Sequence, residues 1–353
     1  MASCGFERRK AAARRGFTLV EMMTVLVIVA MAWWIFAVVV LSLMDESAVL
    51  SAHNLLARWN QEIVNDIRDD TLSAKRYFEN DSLGQQYLDA LEEDADSPWI
   101  NSLRLPRIEE SGAALAPDTV GNQKTGNALL FTKVLTPFVV TVPYREGEDR
   151  DFRINVYRFV LYYLTIREKE HIGRCKDSLD LMRWASVPLA DYAQVMAIED
   201  PEPADSIDPR AEIVKAFVAQ QGSEWLWDTS SDLDNAFYKC QPTGQIDTSP
   251  WPNMVIPRDS VEGLRSLIPA KVAKNKHASV CWNNGTNGFD AGIVVPRYAI
   301  ANATGDGFPH GLEVQIVGPS GARELCVRLA MAKGTGKKVV GREFTAILTT
   351  RDF

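Results

Sequence analysis

The sequence predicts an α+β protein, in which one long N-terminal α-helix packs on an antiparallel β-sheet domain with an irregular insertion. The first half of that helix is expected to span a membrane. Three observations predict this class: an uncharged run without Gly or Pro from Met22 to Met44, an amphipathic helical stripe after it, and segments rich in β-branched and aromatic residues from Ala128 onward. Strands that follow a single long helix are typical of the α+β class.

Composition excludes several other classes. The chain has 353 residues, of which 46% are hydrophobic and 24% charged, and these are the proportions of a globular protein. A mainly disordered chain, a collagen-like repeat and a polytopic membrane protein are therefore excluded. The formal net charge of −8 argues against a broad nucleic-acid-binding surface, so no nucleic-acid partner is expected.

The first 16 residues form a basic leader to the apolar run. Five cations stand there against the single Glu7, a net charge of +4, so the remaining 337 residues carry −12. The 23 residues from Met22 to Met44 would span about 34 Å as a helix, which is enough for a bilayer core. Because the basic flank precedes this run and Asp45 and Glu46 follow it, the N-terminus is expected in the cytoplasm and the remainder is expected to be exported.

Two common export signals fit this segment poorly. A secretory signal has an apolar run of about 7–15 residues and a small-residue cleavage site after it. Arg14 and Arg15 suggest a twin-arginine signal, but the longer run and the lack of a clear cleavage site argue against both. Neither signal accounts for Glu21, a carboxylate at the edge of the apolar span. A charge is costly there, so Glu21 either has a function or sits at headgroup depth.

The residues around Glu21 carry a family resemblance. Residues 15–22, Arg-Gly-Phe-Thr-Leu-Val-Glu-Met, resemble the processing site of type IV prepilins and type II secretion pseudopilins. The resemblance implies that a membrane aspartyl peptidase cuts between Gly16 and Phe17 and methylates the new N-terminus, which makes Glu21 the fifth mature residue. It also implies assembly with other pilins or pseudopilins through the N-terminal helix, on an inner-membrane assembly platform and in contact with membrane lipid.

The chemistry of these residues suits that role. Gly16 has no side chain, so a protease can approach its carbonyl closely. Cleavage would leave a positive amine on Phe17, and that amine and the Glu21 carboxylate of a neighbouring subunit could neutralise each other in a low dielectric. Glu21 is then an assembly residue and not a catalyst. Val38 stands where the family's major pilins often carry a kinking proline, which favours a minor subunit.

An amphipathic stripe continues the helix beyond the apolar run. Its apolar positions recur at spacings of three and four residues, so one helix is predicted from about Phe17 to about Asp70. The chain is thus divided into a leader at 1–16, a helix at 17–70 and an exported β-rich domain at 71–353. The stripe consists of Ala52, Leu56, Trp59, Ile63 and Ile67.

Local patterns predict the remaining elements. Residues 77–93 could be helical with an interruption at Gly84, residues 97–124 are mostly loop, and Asp208-Pro209 starts a helix that ends near Gln220. The strand at 152–167 is apolar on both alternating faces, so it should be central and covered on both sides, with the long helix covering one of them. The predicted strands are 128–142, 152–167, 179–187, 192–196, 292–300, 312–317, 322–330 and 338–350, with an acidic loop at 146–151 and a hairpin turn at 318–321.

Two strand sequences and the strand at the C-terminus carry a second, looser family resemblance. The strings at 155–166 and 181–184 look like those of large minor pilins and the J-type pseudopilin. The resulting expectation is a minor pilin or pseudopilin that helps to assemble or cap a type IV pilus or a type II secretion pseudopilus. An exported enzyme on an uncleaved anchor is the weaker alternative, because no cleft-forming set of titratable groups is visible.

The segment at 221–288 is rich in Gly, Pro, Asn, Ser and Trp, and it reads as an irregular insertion. Exposed, clustered tryptophans in it would favour a filament-tip adhesin or ligand-binding module on the same anchor, whereas burial would favour core packing. These tryptophans are Trp225, Trp227, Trp251 and Trp282.

Four cysteines remain once the leader, which contains Cys4, is removed. Their even number in an exported domain predicts two disulfides, and three pairings are open. We favour Cys175–Cys240 with Cys281–Cys326, since each bond would tie an irregular stretch to a strand. Four free buried thiols are the alternative.

No cofactor is expected from the motifs. The four histidines are scattered and no C-x-x-C occurs, so zinc is not predicted. Gly334 to Lys338 resembles a phosphate loop, but Met331 replaces its first Gly and Lys338 its Ser or Thr. Acidic clusters at 92–96, 146–151 and 228–234 have carboxylates that could bind calcium, but none matches a calcium loop and solvated loops are favoured.

Overall fold

The computed structural model describes residues 18–93, 103–111, 125–144, 148–165, 178–199, 208–231, 233–252, 254–269, 312–335 and 338–350. The chain divides into two compact units, one ending at Ser51 and the other beginning at Ala52. The predicted strand at 292–300 lies outside the described residues.

The predicted long helix is confirmed as α1, Leu19–Thr71, a single helix of 53 residues. The boundary between the two units falls inside it. Residues from Ala52 onward belong with the sheet, because from there the helix buries the apolar stripe that the periodicity predicts. The buried members are Ala52, Leu56, Ile63 and Ile67, followed by Asp70 and Thr71.

Three further helices and fourteen strands make up the rest of the described chain. The helices are α2 Ser82–Asp89, α3 Tyr192–Met196 and α4 Pro209–Gln221, with a 3-10 turn at Leu233–Asn235. The first seven strands are β1 Ala74–Tyr77, β2 Ile108–Glu109, β3 Leu129–Val134, β4 Phe138–Pro143, β5 Asp149–Ile154, β6 Val156–Thr165 and β7 Ser178–Ser186. The remaining strands are β8 Leu189–Asp191, β9 Trp225–Trp227, β10 Phe237–Lys239, β11 Arg258–Pro269, β12 Leu312–Val317, β13 Arg323–Thr335 and β14 Lys338–Thr350.

Twelve of these strands form one sheet, and β4 and β5 form a separate two-stranded ribbon. The main path is β10-β9-β8-β6-β7-β11-β13-β12-β2; β3 also pairs with β6 and β1, and β14 pairs with β13. The pairing is antiparallel except for β8 with β9 and β12 with β2. The predicted α+β class is confirmed, with a sheet that is mixed rather than purely antiparallel.

The prediction for the central strand is also confirmed. In β6 every residue except Arg158 is buried, and the strand pairs with β3, β7 and β8. One face carries Tyr162, whose hydroxyl donates to Asp70 of α1. The opposite face carries Phe159, which stacks on Tyr87 of α2 at a ring-centroid distance of 5.6 Å. The core thus has an α1 layer on one side of the sheet and an α2 layer on the other.

A second apolar cluster joins the β4–β5 ribbon to α4. Phe138 of β4 meets Phe217 of α4 edge to face, with ring centroids 5.7 Å apart. The sequence correctly places the start of α4, where Asp208 caps the helix by accepting from the backbone N–H of Arg210 at 2.9 Å. Gly222 ends the helix in the left-handed conformation, at φ 67°.

Two predicted strands are each divided in the structure. The segment 128–142 contains β3 and β4, with Pro137 between them, and proline has no N–H to donate to a ladder. The segment 152–167 is divided at Asn155 into the end of β5 and β6. Strand β5 already begins at Asp149, so part of the predicted acidic loop is the second arm of a hairpin.

The local prediction is wrong at two helices. Residues 192–196 are not a strand but the short helix α3, because Asp191 caps it by accepting from the N–H of Gln194 at 3.0 Å. Within the predicted helix at 77–93, Tyr77 belongs to β1 and only Ser82–Asp89 is helical. Gly84 does not interrupt this helix but lies in its first turn.

The segment 221–288 is less irregular than predicted over its described part. It contains β9, β10 and the 12-residue β11. Strand β11 pairs with β7 along most of its length and reaches β13 through Leu267 and Met331, so it connects the two halves of the main sheet. The predicted strands at 312–317, 322–330 and 338–350 are confirmed, although β13 extends to Thr335.

Candidate assembly site at the start of the N-terminal helix

Thr18 and Glu21 close the first turn of α1 through reciprocal hydrogen bonds. The Thr18 N–H and hydroxyl donate to Oε2 of Glu21 at 2.8 and 3.0 Å. The N–H of Glu21 in turn donates to the Thr18 hydroxyl oxygen at 3.3 Å. This is a capping box, in which the first residue and the carboxylate three residues later satisfy otherwise unpaired helix N–H groups. Glu21 therefore has partners within its own chain.

The helix beyond this turn presents apolar side chains on all sides. From Leu19 to Val39 every residue is exposed, including Trp33 and Trp34. Trp33 packs edge to face on Phe36, with ring centroids 5.9 Å apart. By length and composition, α1 is the helix among the described residues that could cross a membrane. A surface so fully apolar is stable only in lipid or against other apolar helices.

The predicted processing residues Gly16 and Phe17 lie outside the described residues. Glu21 is in the first turn of α1, and the run from Met22 to Met44 lies wholly within the helix. The Glu21 carboxylate and the apolar surface are therefore consecutive on one element.

The predicted cysteines are described in part. Cys240 and Cys326 are buried and are not bonded to each other, and Cys175 and Cys281 lie outside the described residues. Burial raises the pKa of the Cys240 thiol to about 12 and that of Cys326 to about 11. The pairs Cys175–Cys240 and Cys281–Cys326 stay a prediction.

The acidic clusters do not form a metal site in the described part of the chain. No three His, Cys, Asp or Glu side chains come together there in a way that could hold a metal ion. Asp228 instead accepts hydrogen bonds from the N–H and hydroxyl of Ser230 and from the hydroxyl of Ser231. These bonds outweigh its burial and lower its pKa. The phosphate-loop look-alike lies where β13 pairs with β14, since Gly334 is opposite Val339.

The tryptophans of the predicted insertion do not act as one surface cluster. Trp227 is fully buried and bonds through its indole N–H to the Tyr87 hydroxyl at 3.3 Å. Trp225 and Trp251 form an edge-to-face pair with ring centroids 6.0 Å apart, and Trp251 is 41% exposed. Lys239 places its ammonium 5.5 Å and 5.7 Å from these two rings. Trp282 lies outside the described residues.

Sequence reasoning missed one buried polar site, around Asp70. The available signal was position, because Asp70 is three residues beyond Ile67 and so continues the apolar stripe of α1. A second signal was Arg183, a cation inside the otherwise apolar string Leu-Met-Arg-Trp of β7. The structure brings these two residues together.

Comparison with known proteins bears on the N-terminal segment. Residues 12–32 match the family model for the prokaryotic N-terminal methylation motif. No curated protein and no solved structure matches the chain. The match supports a class III signal and a type IV pilin-like or pseudopilin protein, and it points to a structural subunit. It implies processing by a prepilin peptidase and assembly with other pilins, and with the apolar N-terminal helix it fits a membrane-anchored pilin.

Proposed function

We propose that this chain is a minor pilin or pseudopilin, cut after Gly16, that helps to assemble or cap an inner-membrane type IV pilus or type II secretion pseudopilus. The observation that carries the proposal is the methylation-motif match at residues 12–32, which overlaps the start of a helix with an exposed apolar surface. The N-terminus would face the cytoplasm and the sheet domain would be exported.

The capping box suggests which groups bind the Glu21 carboxylate before assembly. In the free subunit, Thr18 supplies two donors to the carboxylate, so the charge at the edge of the membrane is not left unsolvated. In the filament, the amine of Phe17 on a neighbouring subunit would bind the same carboxylate. An ammonium is the stronger partner in a low dielectric, so assembly would exchange hydrogen bonds within one chain for an ion pair between chains.

The size of the exported part favours a minor subunit. About 280 residues follow α1, and their described part contains a twelve-stranded sheet, a two-stranded ribbon and three helices. A bulky domain repeated in every turn of a narrow filament would crowd its neighbours, whereas one copy at or near the tip would not. At that position the subunit would help to start assembly.

The first test is the intact mass of the protein purified from its native membrane, combined with sequencing of its N-terminal peptide. We expect a chain that begins at methylated Phe17. A chain that retains residues 1–16 would contradict the proposal, because Glu21 would then lie beside no free amine. Expression with and without a prepilin peptidase provides the control. The chain should lose the mass of residues 1–16 only when the peptidase is present.

A further inference from the structure

Asp70 is a buried carboxylate on the apolar stripe of α1. It follows Ile67 by three residues and is only 6% exposed. Among the buried residues of α1 it is the one with a charged side chain. A charge in such a position is costly unless it is paired and fully hydrogen-bonded.

Three adjacent strands supply the partners of Asp70. Lys133 of β3 donates through Nζ to Oδ1 at 2.6 Å, and Tyr162 of β6 donates through its hydroxyl to Oδ2 at 2.5 Å. Arg183 of β7 donates through Nε to Oδ2 at 2.7 Å and through Nη2 to Oδ1 at 3.1 Å. Because β6 lies between β3 and β7, one carboxylate bonds the end of α1 to three neighbouring strands.

The network is ionic. Burial by itself would raise the pKa of Asp70, but the hydrogen bonds from Arg183, Lys133 and Tyr162 outweigh burial and hold that pKa below its ordinary value. Arg183 and Lys133 are themselves mostly covered, with side chains 13% and 17% exposed. Each of these three charges depends on the others for its solvation.

Near the end of α1, apolar packing alone does not determine the register of the helix on the sheet. A shift of one helical turn, about 5.4 Å, would bring Ile63 to the place of Ile67, and the two side chains are the same. The same shift would separate the Asp70 carboxylate from Lys133, Tyr162 and Arg183 and so break all four of its hydrogen bonds. Because an apolar replacement of a buried ion pair is often as stable as the pair, stability alone does not account for this network.

We infer that Asp70 is a positioning residue that, with Lys133, Tyr162 and Arg183, holds α1 on the sheet in a single register. Polar contacts with one correct geometry exclude the alternatives that an apolar stripe permits. The inference rests on the proposed function in one respect, since a filament subunit carried by its N-terminal helix needs its sheet held at one place on that helix.

Trp59 provides an independent reporter of the register. It lies on α1 about three turns before Asp70, and the ammonium of Lys333 on β13 is 5.3 Å from its ring centroid. Strand β13 is separated from β7 by β11, so this contact samples another part of the sheet. A shift of α1 would change the surroundings of the Trp59 ring.

The test is ¹⁹F NMR of the full-length chain in detergent, labelled with 5-fluorotryptophan, with Trp59→Phe to assign the Trp59 signal. We expect one Trp59 line in the wild type and several lines, or one line broadened by exchange, in Asp70→Asn. Asp69→Asn is the matched control, because Asp69 is exposed on the same turn. It should retain the single wild-type line.

A second variant separates register from stability. In Asp70→Leu/Lys133→Met/Tyr162→Phe/Arg183→Met the three charges become apolar and no buried hydroxyl is left without an acceptor, so we expect a wild-type denaturation midpoint together with a heterogeneous Trp59 signal. A single Trp59 line at the wild-type position in Asp70→Asn overturns the inference, whatever the quadruple variant does. The measurement needs no filament, so it is independent of whether Phe17 proves to be the mature N-terminus.

Discussion

At the first turn of α1, Thr18 and Glu21 exchange three hydrogen bonds within one chain. The hydroxyl of Thr18 both donates to the carboxylate and accepts from the N–H of Glu21. A filament neighbour that binds Glu21 must compete with this local arrangement. Under the proposed function the carboxylate would therefore have two states, one in the free subunit and one in the filament.

Replacement of Glu21 by Ala should leave membrane insertion intact and impair incorporation into filaments. The apolar run that drives insertion is unchanged, whereas the partner for the Phe17 amine is lost. The measurement is the fraction of the protein recovered in sheared filaments relative to the membrane fraction. Glu46→Ala is the matched control, an exposed acid on the same helix beyond the apolar run, and it should assemble as the wild type does. Normal incorporation of Glu21→Ala would defeat this role.

At the scale of elements, α1 and the sheet meet through an ionised carboxylate, so their association should depend on pH. The folded-state pKa of Asp70 is lowered, so its contribution to stability is present above its ordinary value of 3.8 and is lost as pH falls through the lower folded-state value. Burial and the charges of Asp70 and Glu262 raise the pKa of Asp66, and protonation there acts in the opposite direction. A difference between variants is therefore the correct quantity to measure.

We expect Asp70→Asn to lower the free energy of unfolding near neutral pH by about 3 kcal/mol, because Arg183 and Lys133 lose their counter-charge. This difference from the wild type should stay constant down to about pH 5 and shrink below about pH 4. Denaturant unfolding at a series of pH values measures it, with Asp69→Asn expected to follow the wild type. A difference that does not shrink in acid would show that ionised Asp70 contributes no pH-dependent stability.

Helix α2 depends on a glycine for a different reason. A Cβ added to Gly84 would lie 2.0 Å from the carbonyl oxygen of Glu79, and backbone has to move to admit it. The helix carries Tyr87 and Leu88 into the core, so we expect Gly84→Ala to cost about 1–3 kcal/mol of unfolding free energy. The exposed neighbour Gln86→Ala should be near neutral. A wild-type denaturation midpoint for Gly84→Ala would contradict the close contact.

At the scale of the whole molecule, the pairing of the cysteines bears on how the residues after α1 are held together. We retain the prediction that Cys175 bonds to Cys240 and Cys281 to Cys326. Peptide mapping of the exported protein without reductant, after alkylation in denaturant, should yield these two linked pairs. Alkylation of Cys240 and Cys326 without prior reduction would show instead that both are free buried thiols, as their raised pKa values would permit.

Helix α1 and the signals that precede it could be predicted from local sequence. The leader, the run to Met44 and the stripe from Ala52 are periodic or compositional signals, and α1 follows them closely. The start of α4 was predicted for the same reason, since the capping side chain of Asp208 acts within two residues. The bounds of strands β12 and β14 also agree with the prediction.

The long helix, the methylation motif with Glu21 and the central, doubly covered strand β6 are all readable from the amino-acid sequence alone, because each is a pattern among residues a few positions apart. The tertiary structure alone decided that β11 joins the main sheet, that Trp227 is core, and that Asp70 meets Lys133 and Arg183 at sequence separations of 63 and 113 residues. From the local sequence alone, a charged residue in an apolar stripe looks like an interruption of the buried face. Its meaning depends on partners that only the folded sheet brings within hydrogen-bonding distance.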